Sequence, residues 1–543
     1  MTGAGSRERR AGASAAPPRG EPRSRPARPS IRVLSLGLAV AAFLVYNANG
    51  REAYPTGDSR PTALLPFSIL YEGDLDLNEY HPPSAGIGGP IRMEDGRILS
   101  NYSPLPALLS LPIYLLAWPH RDEIDGAILR WTPFFSKLAG STFAALAAAM
   151  FFLAAAEVAS RRAALLAALV LAFASPFWIS ASQTLGQHAL TVLCGSAALL
   201  ALCRLERTGS KRWALAAGVA CALAVGIRLS NAVLFAAFLL YVAIQHRRAA
   251  LAFAAPTLAI GVPAVAYLLA IVGGAGGGLE AFAFVGRIRA QLGNPLPEGL
   301  LGLLVSPGEG LFVWSPVVTL LLLPVLGRLA GARTAGHARA RAADEGRREG
   351  RSARAARRDR ARGRRGPRAR ARGAESAGRS RPGEPGGGER REVSVASPPL
   401  PPADPRARRL ALFSLLVFVA MLALYARYVE WWGGRTYGPR YLTDALPFLL
   451  FPAAAALERW IERPAFWAAF VVLFAVSAGV QALGAFRYPC AGDDTDRVRR
   501  DEHRVWDWGG TDVELCTRSF RRPAHDFATA GRLLRLTWRE LTG

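Results

Sequence analysis

The sequence predicts an all-α polytopic membrane protein with about eleven transmembrane helices and a large first extracytoplasmic loop. Three observations predict it. The 543 residues are 51% hydrophobic, and their mean hydropathy of +0.18 averages two very different kinds of sequence. Long Ala/Leu/Val/Phe runs, several beyond about 18 residues and almost free of charge, are long enough to cross a hydrocarbon core about 30 Å thick. Between them lie short basic segments, the mark of cytoplasmic loops.

The elements follow in chain order. Residues 1–30 form a basic, Pro-rich leader that reads as disordered and cytoplasmic. The first apolar run, 31–49, is too long for a signal-peptide core and reads as a retained helix. Further spans are expected at 132–157, 163–181, 186–204, 213–228, 230–245, 249–272, 311–328, 409–427, 442–457 and 464–486. Counted from an inside start, they leave Ser160-Arg161-Arg162, the stretch from Arg204 to Arg212, and His246-Arg247-Arg248 on the cytoplasmic side. The apolar stretch 104–118 carries Pro104, Pro106 and Pro112. Counting it as a span would reverse most later loops, so it reads as an interfacial or re-entrant helix. The outer face then receives residues 50–131, the turns near 182–186 and 228–230, residues 273–310 and 428–441, and the tail 487–543.

The net charge of +25 is uneven. The insert 329–408 is rich in Arg, Gly, Pro and Ala and has no aromatic residue, so it is expected to be disordered and cytoplasmic. Its charge reads as a topology signal with unspecific attraction to anionic lipids, and no nucleic-acid partner is expected. The core is therefore expected over 31–328, with the last helices over 409–486. Of five cysteines, Cys194, Cys203 and Cys221 fall in spans; Cys490 and Cys516 fall in the outer tail, where an oxidising compartment lets them pair.

An inside N-terminus, one span, and a long outer loop with an early acid at Asp58 resemble the layout of the GT-C membrane glycosyltransferases, among them the protein O-mannosyltransferases and lipid A aminoarabinose transferases. Asn101-Tyr102-Ser103-Pro104 resembles the proline-bearing helix of that superfamily. The stretch Trp431-Trp432-Gly433-Gly434-Arg435-Thr436-Tyr437-Gly438-Pro439-Arg440-Tyr441-Leu442 resembles an outer-loop motif of uncharacterised bacterial relatives. The resemblance covers roughly 31–328 and 409–486. It implies transfer of a sugar from a polyprenyl-phosphate carrier to an acceptor hydroxyl at the outer face of a bacterial inner membrane.

Such chemistry needs a base for the acceptor proton and a cation for the departing phosphate. The resemblance makes Asp58 the base, although Thr-Gly-Asp-Ser also reads as an ordinary turn. Two departures stand out: Ser59 follows Asp58 where relatives often pair two acids, and the turn Ser180 to His188 holds no acid. Gln183, Gln187 and His188 there are candidates for substrate hydroxyls. Arg440, among glycines and aromatics, is the leading phosphate contact, since a guanidinium grips phosphate with two parallel hydrogen bonds. Arg228 and Lys137 are secondary cations, ionisable groups at span ends being costly unless used. Trp431, Trp432 and Tyr437 are candidates to stack on a sugar, or members of an interfacial belt. Asp74 and Asp76 are weak metal candidates, because Leu75 and Leu77 interrupt them; no cofactor is certain, and a divalent metal stays open. Ser306-Pro307-Gly308-Glu309-Gly310 precedes a span whose N-terminus faces outward and offers backbone N–H groups to a phosphate, with Glu309 opposing an anion.

Two rival functions remain at this stage. A flippase for lipid-linked sugars predicts repeated halves and mid-membrane polar sites, which the sequence lacks. A non-enzymatic envelope scaffold predicts that Asp58 is dispensable.

Overall fold

The computed structural model describes residues 29–53, 59–80, 90–92, 96–100, 102–273, 286, 289–328, 404–434, 436–489, 505–518 and 535. The chain is an all-α membrane protein. Among the described residues, five helices are long and apolar enough to cross a bilayer: α5 (Ile128–Ala155), α8 (Gln187–Thr208), the segment Arg247–Ile271, α16 (Pro405–Ala426) and α18 (Pro464–Arg487). Shorter apolar helices accompany them, including α1 (Ile31–Asn47), α13 (Leu296–Val305) and α15 (Pro316–Arg328).

Several expected spans are bent or interrupted beside a proline: Pro176, Pro256, Pro316 and Pro447. The run 163–181 divides at Pro176 into α6 (Arg161–Phe173) and α7 (Phe177–Ser182). The run 249–272 divides into α11 (Ala250–Pro256), a π-turn over Thr257–Gly261 and α12 (Val262–Gly273). The run 311–328 breaks at Ser315, between α14 (Leu311–Trp314) and Pro316. The run 442–457 opens with a 3-10 turn, Arg440–Ala445, before α17 (Leu446–Ala456). The segment at 104–118 contains α3 (Leu105–Tyr114) of ten residues. At 1.5 Å per residue it is about 15 Å long, half a hydrocarbon core.

Helices α5, α8 and α9 (Lys211–Ile227) form the centre, with α1 and α6 against α5. Their contact faces are small: α5 buries Ala139, Gly140, Ser141, Ala144, Ala145, Ala147 and Ala148. Small residues let helices approach closely where lipid removes any hydrophobic drive between them. A Cβ on Gly218 of α9 would lie 2.0 Å from the Phe253 carbonyl oxygen of α11, so only glycine permits that crossing. Large apolar side chains face outward instead, such as Val33, Leu36, Val40 and Leu44 on α1, and Val471, Val472 and Val476 on α18. Lipid replaces protein as their neighbour.

The segment after α1 folds onto the N-terminal end of α5. Helix α2 (Ser59–Phe67) runs into a π-turn, Ser68–Glu72. A two-stranded antiparallel sheet pairs β1 (Pro90–Arg92) with β2 (Ile98–Ser100), Ile91 opposite Leu99. A second core of Leu64, Leu65, Phe67, Tyr114, Phe135 and their neighbours holds this segment down. Phe67 makes edge contacts with Tyr114 and Phe135, centroids 5.0 and 5.7 Å away.

The helix ends form two polar layers. In one, Arg161 donates to the Pro29 carbonyl, Glu157 binds Arg204 and Arg207, and Glu206 binds His246 and Arg409. These are the basic segments that the charge pattern assigns to a single side. The other layer gathers the C-terminal ends of α1, α9 and α18, the N-terminal ends of α5 and α8, and the 3-10 turn before α17.

Candidate active site at one set of helix ends

The site is built where α8, α9 and the turn before α17 meet. The side chain of Asp444, in that turn, is fully enclosed. Its Oδ1 lies 2.7 Å from Nδ1 of His188, one residue into α8. Its Oδ2 accepts from Nη1 of Arg228 at 2.8 Å and from the Tyr425 hydroxyl at 3.2 Å. A buried carboxylate with this many donors is stabilised as an anion, and its partners are fixed in place. With Asp444 accepting at Nδ1, the His188 ring presents Nε2 outward.

Arg228 is the C-cap of α9 and lies against the rings of Tyr425 and Tyr441, 5.6 and 5.2 Å from their centroids. Arg440 lies against Tyr441 as well, at 5.4 Å. Two guanidiniums thus share one aromatic ring, and stacking of Tyr441 on Tyr425 holds that ring. Cation–π contact steadies each guanidinium while leaving N–H donors in its plane. Gly433, at φ +87°, passes close to the Arg440 stem, a Cβ there lying 3.2 Å from its Cγ. Left-handed backbone beside a bulky side chain is where glycine is needed.

A second polar cluster lies beside it, where α1 ends against α5. Lys137 is buried in α5, and its Nζ donates to Gln183 Oε1 at 2.5 Å. Asn49 donates to the same Gln183 oxygen at 2.8 Å and to the Ala485 carbonyl at 2.7 Å. Arg51 donates to the carbonyls of Phe486 and Tyr488. Glu52 accepts at Oε1 from the hydroxyls of Ser136 and Thr184, both at 2.6 Å. Burial raises the Glu52 carboxyl above its ordinary range, although the two hydroxyls and the charges of Arg60 and Lys137 oppose that rise. The turn between α7 and α8 joins the clusters, with Gln183 and Thr184 in one and His188 in the other. Four residues of extended chain cover at most about 14 Å, so Thr184 and His188 belong to one region. Helix α5 meets this turn at Gly140, where a Cβ would lie 2.3 Å from the Thr184 carbonyl oxygen.

The other sequence candidates are distributed differently. Asp58, Asn101, Arg435 and Cys490 lie outside the described residues. Cys516 is disulfide-bonded, while Cys194, Cys203 and Cys221 are free. Gln187 begins α8, half-buried. Trp431, Trp432 and Tyr437 are surrounded by protein, not displayed as an open platform. Trp431 packs over Gly302, and Tyr437 packs edge-on to Trp314 and donates to the Val480 carbonyl. Glu309 is 7% exposed, and burial raises its carboxyl well above the ordinary range, with Arg440 opposing. In its neutral form it does not repel an anion.

Asp74 and Asp76 converge with Glu79, their carboxylate oxygens within 4.8 Å of one another. Ser68 and the Asp76 N–H already donate to Asp74 Oδ1, and the Asn78 N–H to Asp76 Oδ1. These bonds explain the carboxylates as turn formers, and no metal is assigned to them. An open cavity of about 490 Å³ beside them, lined by Glu79, Tyr80, Asp125 and Arg130, is separate from the Asp444 cluster.

An apolar helical bundle with helices long enough to cross a bilayer is a polytopic membrane protein, and the candidate polar side chains converge at one set of its helix ends. Residues 135–272, about a quarter of the chain, match a family model described as dolichyl-phosphate-mannose-protein mannosyltransferase. The matched region runs from α5 to α12 and contains Lys137, Gln183, His188 and Arg228. The matched family comprises membrane glycosyltransferases of the GT-C type, and the match supports that class for this region of the chain. No curated protein matches it.

Proposed function

We propose that the protein transfers a sugar from a polyprenyl-phosphate donor to an acceptor hydroxyl on the extracytoplasmic face of a bacterial inner membrane, its N-terminus being cytoplasmic. The observation that carries this reading is the pair of guanidiniums, Arg228 and Arg440, against the single ring of Tyr441. As the bond from the anomeric carbon to the phosphate oxygen breaks, negative charge grows on the departing phosphate. Preorganised N–H donors in a low-dielectric site lower the energy of that charge most effectively. Arg228 gives one nitrogen to Asp444, which fixes its plane and leaves its remaining donors for the phosphate. His188, held by Asp444, adds a third donor toward the same anion. The acceptor's proton goes to a carboxylate of the segment after α1, where resemblance offers Asp58 and Glu52 is another acid. Gln183 and Gln187 serve the sugar hydroxyls.

The transport reading predicts polar groups at mid-membrane, whereas these groups lie at helix ends. The test is incubation of the purified protein with a panel of polyprenyl-phosphate hexoses and pentoses, scoring release of the carrier phosphate. Release with at least one donor is expected. Movement of intact donor across vesicles without release would replace the enzyme by a flippase.

A further inference from the structure

The segment after α1 holds a second carboxylate whose surroundings resemble a reaction site more than a fold contact. Glu52 is only half-buried, yet its Oε1 is fixed by two hydroxyls, Ser136 from α5 and Thr184 from the α7–α8 turn. The two hydroxyls also contact each other at 3.0 Å, and the Leu185 N–H donates to Ser136 Oγ at 2.9 Å. Oε2 has no hydrogen bond among the described residues. Oε2 is not one of the buried polar atoms left without a partner, so it stands open to an incoming hydroxyl. The nearby ammonium does not take it either: the Lys137 Nζ donates to Gln183 and reaches Glu52 only through space. The charged groups facing Glu52 are Lys137 on α5 and Arg60 on α2.

We propose that Glu52 is a catalytic base of the transfer reaction, with Oε2 accepting the proton of the acceptor hydroxyl. This rests on the glycosyltransferase reading above. The hydroxyl O–H bond breaks and its proton passes to Oε2. The oxygen's electron pair forms the new bond to the anomeric carbon. The bond from that carbon to the phosphate oxygen breaks, and its electrons leave with the carrier phosphate toward Arg228 and Arg440. Lys137 and Arg60 stabilise the carboxylate before the proton arrives, and the two hydroxyls keep Oε2 turned toward the acceptor. A general base of this kind contributes about 10²–10⁴-fold.

The test uses the full-length protein in detergent with the donor panel and a hydroxyl acceptor, comparing wild type, Glu52→Gln, Glu52→Asp and Asp58→Asn. Glu52→Gln keeps an oxygen for both hydroxyls but removes the base. Its expected result is a kcat at least 100-fold lower, with binding of the unglycosylated polyprenyl phosphate within threefold of wild type and no fall in Tm. Glu52→Asp is expected to recover part of kcat with a displaced acid limb in its pH–rate profile. Glu52→Gln turning over at the wild-type rate while Asp58→Asn is dead overturns the assignment alone. A parallel loss of Tm and carrier binding in Glu52→Gln overturns it in favour of a fold contact. A wild type that releases no phosphate from any donor removes the reaction and the base together.

Discussion

The two polar layers of the bundle hold similar residue types and use them in opposite ways. In the layer of Glu157 and Glu206, carboxylates 16% and 4% exposed meet arginines that reach water, Arg207 at 61% and Arg409 at 49%. With the cation in water, such a pair contributes little individually. In the other layer, Asp444 is enclosed and tied to His188, Arg228 and Tyr425, and half-buried Glu52 is tied to the hydroxyls of Ser136 and Thr184. Arg228 is 16% exposed, and Asp444 not at all. Taking charge out of water costs several kcal/mol per ion, and good geometry only offsets it. The first layer orients helices; the second sacrifices solvation to hold charge in position, which is what a reaction site requires.

Substitutions can break that contrast, and the largest effect is expected at Asp444. Asp444→Ala leaves Arg228 and His188 enclosed without their anion, a loss of about 3–5 kcal/mol. Thermal unfolding in detergent measures it, and a Tm drop no larger than that of a surface variant would mean that water reaches Asp444.

Arg440→Ala comes next, and it separates binding from folding. Carrier-phosphate affinity is expected to fall about tenfold or more, since a hydrogen bond to a charged group contributes about 1.5–3 kcal/mol. A Tm shift within about 2 °C is expected, a change of about 0.5 kcal/mol or less. Unchanged binding of polyprenyl phosphate, read by tryptophan quenching, would remove Arg440 from the grip.

A smaller effect sharpens the comparison through pH. The Glu52 carboxyl is raised in the folded protein. Above its unfolded value of about 4.3 the folded state therefore holds more protons than the unfolded chain. Stability from this group is complete below that value and is lost as pH rises through the folded pKa. Glu52→Gln lacks the dependence, so its Tm relative to wild type is expected to rise between pH 4 and pH 8. A flat difference would show a carboxylate that burial does not perturb.

The smallest effect belongs to the opposite layer. Arg207→Ala is expected to change stability by less than about 0.5 kcal/mol and leave transfer unaltered. A loss of activity there would end the division of labour between the layers.

The helices were legible because lipid demands long uncharged runs, and Arg228, Lys137, Gln183 and His188 stood out as polar groups at their ends. Their shared anion did not. Asp444 sits in Leu-Thr-Asp-Ala-Leu-Pro, where an acid before a helix reads as a cap, and its histidine is 256 residues away. Glu52 reads as a loop acid next to Arg51, while its hydroxyl partners are 84 and 132 residues further on. An acid at a span boundary in apolar surroundings is the one local signal that could have found both. The aromatic motif misled in another way: sequence gives the rings at 431 and 437 but not the glycines at 302 and 484 that receive them.

The turn between α7 and α8 acts as a spacer of set length. Ser136 grips it at Leu185, and Asp444 grips it through His188. With both ends tethered, the gap from hydroxyl pair to guanidinium pair belongs to the protein rather than the ligand. Under the proposed transfer, selection among donors becomes a matter of reach: a sugar whose anomeric carbon falls short of one end is refused before any bond is tested.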